Sequence, residues 1–414
     1  MIQRKDSIVF SPGRIGNIEL KNRLMRSATY DNAATAEGRV TDKMIEIYRT
    51  LAKGGVGLII TGAVGIYKKA KRPHLILGNY DDSFIPDLKK ISQAVHDSDG
   101  ECKIMAQLLH PGRQVMNPED SMKLIPFLPK VFMSYIEQHP EVLQPQEQPS
   151  QIVEPTAPSP VFDRLFERTP RGLEKNEIND IIDAYAEGIG RVQEAGFDGV
   201  QLHAAHGYLL SSFISPHTNK RDDEYGGSTE NRTRIVAEIY DRARKKIGEN
   251  FPIIIKFNTM DFLPDGIDIA EATKVGKILS KIGFDAIETS GGMWEAVTQG
   301  KEKLGWTPVI LPESRTEIKS KDQQAYFLPC AKALKDEINK PVILVGGLKS
   351  FDKIEEILES GNADFISLSR PLIRQPGLPN LWFSGSGKNT AECISCNGCL
   401  PIGDEATRCR ARKK

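Results

Sequence analysis

Cysteine is scarce along most of the chain. Only Cys102 and Cys330 precede residue 393, too few to staple a fold of 414 residues with disulfides. Long apolar runs are missing as well: nothing approaches the ~20 apolar residues of a membrane-spanning helix. The opening MIQRKDSIVFSPG has no apolar core of a signal peptide, so a cytoplasmic location is expected. Charge of one sign is not in excess, with 55 Lys plus Arg against 55 Asp plus Glu, and no overall field draws in nucleic acid or an anionic membrane. No GxGxxG occurs anywhere, which removes the usual announcement of a doubly wound nucleotide-binding sheet.

What is present is a regular alternation. Short β-branched runs stand at 23–28, 56–62, 103–109, 198–203, 252–257, 285–290, 341–347 and 363–369, each a buried-strand candidate. Helical patterns separate most of them: Ile178, Ile181, Ile182, Tyr185, Ile189 and Val192 share one face, as do Ile235, Ile239, Ala243 and Ile247. Thr41, Asp268 with Glu271, and Ser350 are start signals. Eight strands alternating with helices predict parallel strands joined by right-handed crossovers, and the economical closure is an α/β (β/α)8 TIM barrel.

Two segments fall outside that pattern. Residues 11–22 read as a small hairpin closing one end, and 114–172 form a long insertion rich in proline and glutamine, expected to lid the site in part or to be disordered over 140–160. GSGKNT at 385–390 is a turn, because a P-loop needs glycine where Trp382 stands. The expected organisation is a barrel over 1–382 and a Cys-rich tail over 383–414.

In a barrel of this kind the chemistry sits past the C-terminal ends of the strands. The seventh run ends in Gly346 and Gly347 and the eighth in Ser369 and Arg370, the usual phosphate position; the plainer alternative is a tight turn beside a surface cation. Lys256 ends a run of isoleucines, which implies an anionic ligand or, failing that, a snorkelling side chain. The third run delivers Gln107, His110 and Arg113, the second Ala63. The fourth ends in HAAHGY: His203 and His206 lack the further ligand that a catalytic metal needs, and beside Tyr208 they suit polarising a substrate carbonyl while the phenol supplies a proton.

HAAHGYLLSSFISPHTNKRDDEYGGSTENR, with NRLMRSA, QLLHPGR, VGG and SLSRPLI in order, resembles the old yellow enzyme family from about residue 8 to about residue 380. The resemblance implies FMN across the barrel mouth, reduced by NADH or NADPH and delivering hydride to the β-carbon of an electron-poor alkene. It implies that His203 and His206 bind the activating oxygen and Tyr208 protonates the α-carbon. Ser27, Ala28, Thr29, Ala63 and Gln107 would contact the isoalloxazine, Lys256 its N1–C2=O edge, and Gly346, Gly347, Ser369 and Arg370 the phosphate. Lys256 replaces the family's common arginine, and Tyr30 stands where relatives often carry cysteine or threonine.

The tail CISCNGCLPIGDEATRC has the CxxCxxC spacing and distant fourth thiol of iron-sulfur ligation, with zinc and unligated thiols as alternatives. Larger members of the family, the 2,4-dienoyl-CoA reductases and trimethylamine dehydrogenase, have a similar cluster, which implies 4Fe-4S ahead of zinc on Cys393, Cys396, Cys399 and Cys409. Cys102 and Cys330 read as core residues. Expected partners are a small-molecule substrate and NAD(P)H; an electron-transfer protein and a homo-oligomer are compatible with them. The leading expectation is an ene-reductase acting on an α,β-unsaturated carbonyl compound or acyl thioester. The alternatives are an FMN/iron-sulfur dehydrogenase of a small amine or alcohol, an electron-transfer subunit, and a flavin-free lyase using Lys256.

Overall fold

The computed structural model describes residues 4–67, 75–117, 120–138, 153–401, 403 and 405–411. Eight parallel strands form its centre: β1 Leu24–Arg26, β2 Leu58–Gly65, β3 Lys103–Leu109, β4 Gly199–Ala204, β5 Ile253–Asn258, β6 Ile287–Ser290, β7 Val342–Leu344 and β8 Phe365–Leu368. Each falls within or against one of the eight expected runs. Neighbours pair in chain order, and β8 returns to β1 through Ile366 opposite Leu24, which closes the (β/α)8 barrel. Strand β7 stops early because Gly346 and Gly347 adopt φ of 125° and 69°, outside any strand conformation.

The helices bury the faces that periodicity assigns. On Lys175–Glu194 the buried residues include Ile178, Ile181, Ile182, Tyr185, Ile189 and Val192. Thr41 caps Asp42–Lys53 by accepting from the Met44 amide. Asp268 caps Ile269–Ile282 through the Glu271 amide, but the Glu271 side chain turns away to Thr229 and Arg232, so only half of a capping box forms.

Alternate residues on a strand face opposite sides, so the barrel interior is built in layers. At the N-terminal end Met25, Leu58, Ile60, Met105, Ile254, Ile343 and Phe365 form one apolar cluster. The hairpin Gly13–Ile15 with Ile18–Leu20 plugs it by inserting Ile15 and Leu20, as the sequence suggests. Two residues further along several strands the interior becomes polar, with Ser27, Gln107, Lys256 and Glu288 all buried. This second layer floors the mouth.

The insertion covers part of that mouth. Its described portion holds helices Asp120–Leu124 and Lys130–Gln138 and a short strand pair at Thr156–Ala157 and Arg171–Gly172. Leu124, Leu165 and Phe166 cluster with Tyr208 and Trp294. Of the stretch expected to be disordered, 153–160 is packed, with Val153, Ala157 and Ser159 buried, while 140–152 lies outside the described residues. Arg113 holds the insertion from below: fully buried, it pairs with Asp163 at 3.2 Å and with Glu295 at 3.2 Å.

The tail is laid back over the barrel. Across a bridge between Ser350 and Thr390 the Ala391 amide donates to the Lys349 carbonyl and the Phe351 amide to the Asn389 carbonyl. Further on, Asn32 donates to the carbonyls of Gly403 at 2.8 Å and Glu405 at 2.9 Å. GSGKNT is a turn whose Lys388 carbonyl accepts from the Trp382 indole. Cys102 and Cys330 are core residues, 0% and 2% exposed. No helix among the described residues is long and apolar enough to cross a membrane.

Candidate active site

The end of β4 brings three expected side chains into contact. The rings of His203 and His206 lie 5.0 Å apart, and those of His203 and Tyr208 4.9 Å apart, both edge to face. The turn that achieves this is strained: His206 has φ of 65° and Gly207 83°. Asn258 at the end of β5 holds the turn by accepting from the His206 amide at 3.0 Å. His206 Nε2 meets the Ser290 hydroxyl at 2.7 Å, and its Nδ1 lies 3.8 Å from Glu313. Burial first, and the charge of Lys256 second, hold this imidazole well below its usual pKa, so it is neutral and offers an N–H rather than a cation.

Beneath them is the polar floor. Lys256 sits in register with His203 on one side and Glu288 on the other, so all three point inward. Its ammonium donates to Ser27 Oγ at 2.9 Å and pairs with Glu288 at 3.0 Å. The expectation that an anionic ligand must balance this lysine is therefore corrected: the protein itself supplies a carboxylate. Gln107 lies level with Ala63 and Gln201 and donates to Gln201 Oε1 at 2.8 Å.

The remaining expected residues divide. Ser27 and Thr29 stay at the mouth, Thr29 sharing a 2.8 Å hydrogen bond with Ser369; Ala28 packs toward the apolar layer. A Cβ on Gly346 or Gly347 would meet Tyr326 within about 3 Å, so close aromatic packing as well as backbone conformation demands glycine here. Arg370 acts on the same Tyr326 electrostatically, yet its guanidinium donates to the Arg315 carbonyl at 2.8 Å and to Asn397 in the tail at 2.6 Å. Arg370 thus joins the expected phosphate position to the cysteine tail, a link that spacing alone does not show.

In the tail, Cys393 and Cys396 lie near enough to Cys399 to raise its pKa, although burial is the larger cause and Arg370 opposes it; the thiol stands at about 11. The Cys409 sulfur accepts from Arg374 at 3.7 Å. Among the described residues no group of three or more His, Cys, Asp or Glu is gathered tightly enough to hold a metal ion.

Several site residues escape a reading by strand ends. Glu288 and Gln201 lie inside the runs, where a polar residue amid apolar neighbours is the same signal that marks Lys256. Glu313 has no such signal, since it stands in an irregular segment. It is largely buried, its Oε2 has no hydrogen-bond partner, and burial raises its pKa to about 7 against the opposing charges of Lys256 and Arg370.

This geometry can be set beside known proteins. Residues 8–384 match the model of the NADH:flavin oxidoreductase / NADH oxidase family. The chain belongs to that family, of the old yellow enzyme type. An NADH oxidase of Thermoanaerobacter brockii is 33% identical over 394 residues, covering 95% of this chain and 53% of the relative. The structure of a 2-naphthoyl-CoA reductase in complex with 2-naphthoyl-CoA superposes with a TM-score of 0.78 at 25% identity, over 95% of this chain and 54% of that one. The old yellow enzyme homologue of Zymomonas mobilis gives a TM-score of 0.68 at 26% identity over 94% and 95% of the two chains. The chain therefore spans about half the length of the first curated relatives it matches.

The matched family is one of NADH:flavin oxidoreductases, and residues of the mouth suit FMN chemically. No backbone carbonyl of the described residues accepts from the amides of Gly346 or Gly347, and Ser367 Oγ on β8 is buried without a partner. Such orphaned donors fit a phosphate or ribityl group. Gln107 and Lys256 offer the amide and cation that a flavin pyrimidine edge would meet.

Proposed function

We propose that this old yellow enzyme relative is an FMN-dependent NAD(P)H oxidoreductase that reduces the C=C bond of an α,β-unsaturated carbonyl compound or enoyl thioester. The observation that supports it most is the convergence of His203, His206 and Tyr208 above a floor containing Gln107 and Lys256. FMN supplies the hydride when bound. The protein's part is orientation and charge. The neutral His206, with His203, donates hydrogen bonds to the substrate oxygen, which stabilises the negative charge that develops there during reduction. Tyr208 gives its proton to the α-carbon. Trp294 and the insertion's Leu165 and Phe166 pack around Tyr208 and limit water there.

An acyl thioester is favoured among substrates by the likeness to the 2-naphthoyl-CoA reductase complex. Ser27, Thr29 and Ala63 complete the isoalloxazine contacts in this reading, Ala28 offering only its backbone because its side chain packs toward the apolar layer, and Gly346, Gly347, Ser369 and Arg370 complete the phosphate site. We also propose the division into barrel 1–382 and tail 383–414, with a 4Fe-4S cluster rather than zinc on Cys393, Cys396, Cys399 and Cys409. That cluster requires the thiols to draw closer together and Cys409 to give up its contact with Arg374, and no step of the reduction is routed through it.

The test is the visible spectrum of protein purified without oxygen, with iron and sulfide assayed on the same sample, followed by turnover of NADPH or NADH with an enoyl thioester. Flavin bands and thioester-dependent oxidation of the nicotinamide are expected. Reduction of the bound flavin only by an organic amine or alcohol would replace this reading with the dehydrogenase.

A further inference from the structure

A continuous chain of hydrogen bonds runs through the polar floor and connects five strands. Ser27 on the segment leaving β1 donates to Glu288 Oε1 at 3.0 Å and accepts from Lys256 at 2.9 Å. Lys256 pairs with the same Glu288 oxygen at 3.0 Å. The other oxygen of Glu288 accepts from Gln201 Nε2 at 2.7 Å, and Gln201 Oε1 accepts from Gln107 Nε2 at 2.8 Å. Glu288 is fully buried at the middle of this chain.

We infer that Glu288 is the positioning residue that orients both Lys256 and Gln107 toward the flavin and sets how strongly the reduced flavin is held. The inference rests on the flavin reading given above. An ionised carboxylate only accepts hydrogen bonds. Glu288 therefore obliges Gln201 to present its NH2, which leaves the Gln201 carbonyl facing Gln107. Gln107 must answer with its own NH2, so its carbonyl oxygen and second N–H remain for the ligand. On the other side an ammonium has three donors, of which Ser27 and Glu288 take two, leaving one for the ring.

Charge gives the same residue a second effect. Lys256 favours a ring carrying extra negative charge, and the adjacent carboxylate offsets part of that field. Glu288→Gln keeps the size of the side chain and an acceptor for Lys256 but removes the offset, and it also turns an NH2 toward Gln201, a disturbance of the link to Gln107 for which the next variant is the control. Potentiometric titration of FMN-loaded protein should then show the ratio of reduced to oxidised FMN affinity rising about tenfold, ~30 mV upward in the two-electron midpoint potential. Gln201→Met breaks the link to Gln107 with the charge intact. It should weaken oxidised and reduced FMN alike by a few-fold and leave the potential near the wild-type value.

An unchanged potential in Glu288→Gln overturns the inference, as does a Gln201→Met shift as large as that of Glu288→Gln. Where Glu288→Gln does not retain FMN, Glu288→Asp carries the test: drawing the anion back from Lys256 should raise the potential by a smaller amount, and no rise there is equally fatal. Wild-type protein that binds no FMN overturns the flavin reading and this inference together. Bound FMN with unmoved potentials defeats the inference about Glu288 alone.

Discussion

The barrel floor and the cysteine tail are both rich in ligand-like side chains, and they are held by different means. On the floor each side chain stands on a strand whose register is set by its neighbours, so Lys256 and Glu288 face each other because the ladder places them level. In the tail the chain turns through left-handed residues, with Ser395 at φ 56° and Asn397 at 55°, and is fastened by scattered contacts to loops. The floor accordingly presents a connected hydrogen-bond network. The tail presents three neighbouring thiols and a fourth that faces an arginine. A motif names the residues equally well in both places, but only regular structure tells where their atoms meet.

The largest effect should come from the strand-built half. His203→Ala with His206→Ala is expected to lower kcat/KM for an enoyl thioester on the order of 10³-fold while FMN stays bound, because hydrogen-bond donors are removed from an oxygen that gains charge. Steady-state kinetics and the flavin spectrum of one preparation check both statements, and a loss confined to KM would deny these histidines a role at the transition state. Arg113→Met comes next. It leaves the buried Asp163 carboxylate of the insertion without its ion-pair partner, while Glu295 keeps His217 at 3.4 Å; loss of the buried pair costs about 3–5 kcal/mol, and denaturant unfolding should show it.

These expectations track what was legible. All eight strands were, because a buried strand in a parallel barrel is a short β-branched run and each run here is bounded by a turn or a helix cap. His203, His206 and Tyr208 were legible because all three sit on a strand end or the turn after it. The pairing of Arg113 with Asp163 was not: the partners are brought together by the fold of an insertion that has no period to read. Nor was the direction of Arg370, whose place at the end of β8 suggests phosphate but whose guanidinium reaches the tail. Lys256 is legible as a lone charge in an apolar run, and Glu288, its partner, carries the same mark.

Glu313 offers a smaller effect and a contrast with Glu288, one carboxylate in a loop without a hydrogen bond on Oε2 and the other on a strand with partners on both oxygens. Because the native pKa is raised to about 7, the folded protein keeps a proton that the unfolded chain has lost between the ordinary carboxylate range and pH 7. Stability therefore falls as pH rises through that window. Glu313→Gln removes the titration: variant and wild type should unfold alike below about pH 4, and the variant should be more stable by on the order of 1–3 kcal/mol at pH 8. Parallel stability curves across the whole range would mean that Glu313 ionises normally.

The smallest effect should be local to the tail. Asn32 leaves the loop after β1 and donates to two tail carbonyls, so Asn32→Ala takes away two hydrogen bonds worth about 1 kcal/mol each. Asn32→Ala also removes the acceptor of the Tyr30 hydroxyl at 2.6 Å and places alanine at φ of 49°, but all of these lie in the loop outside the barrel core, and the global unfolding midpoint should move little. What should change is the rate at which residues near 403–411 exchange amide hydrogens or are cut by protease, faster by roughly five- to thirty-fold because local opening follows the lost free energy. The Thr407 amide still donates to the Asp31 carbonyl at 2.9 Å, and that contact limits the gain. If exchange there is unaltered while the global midpoint drops, the tail is part of the barrel's cooperative unit, and the contrast between a strand-built floor and a separately fastened tail is lost.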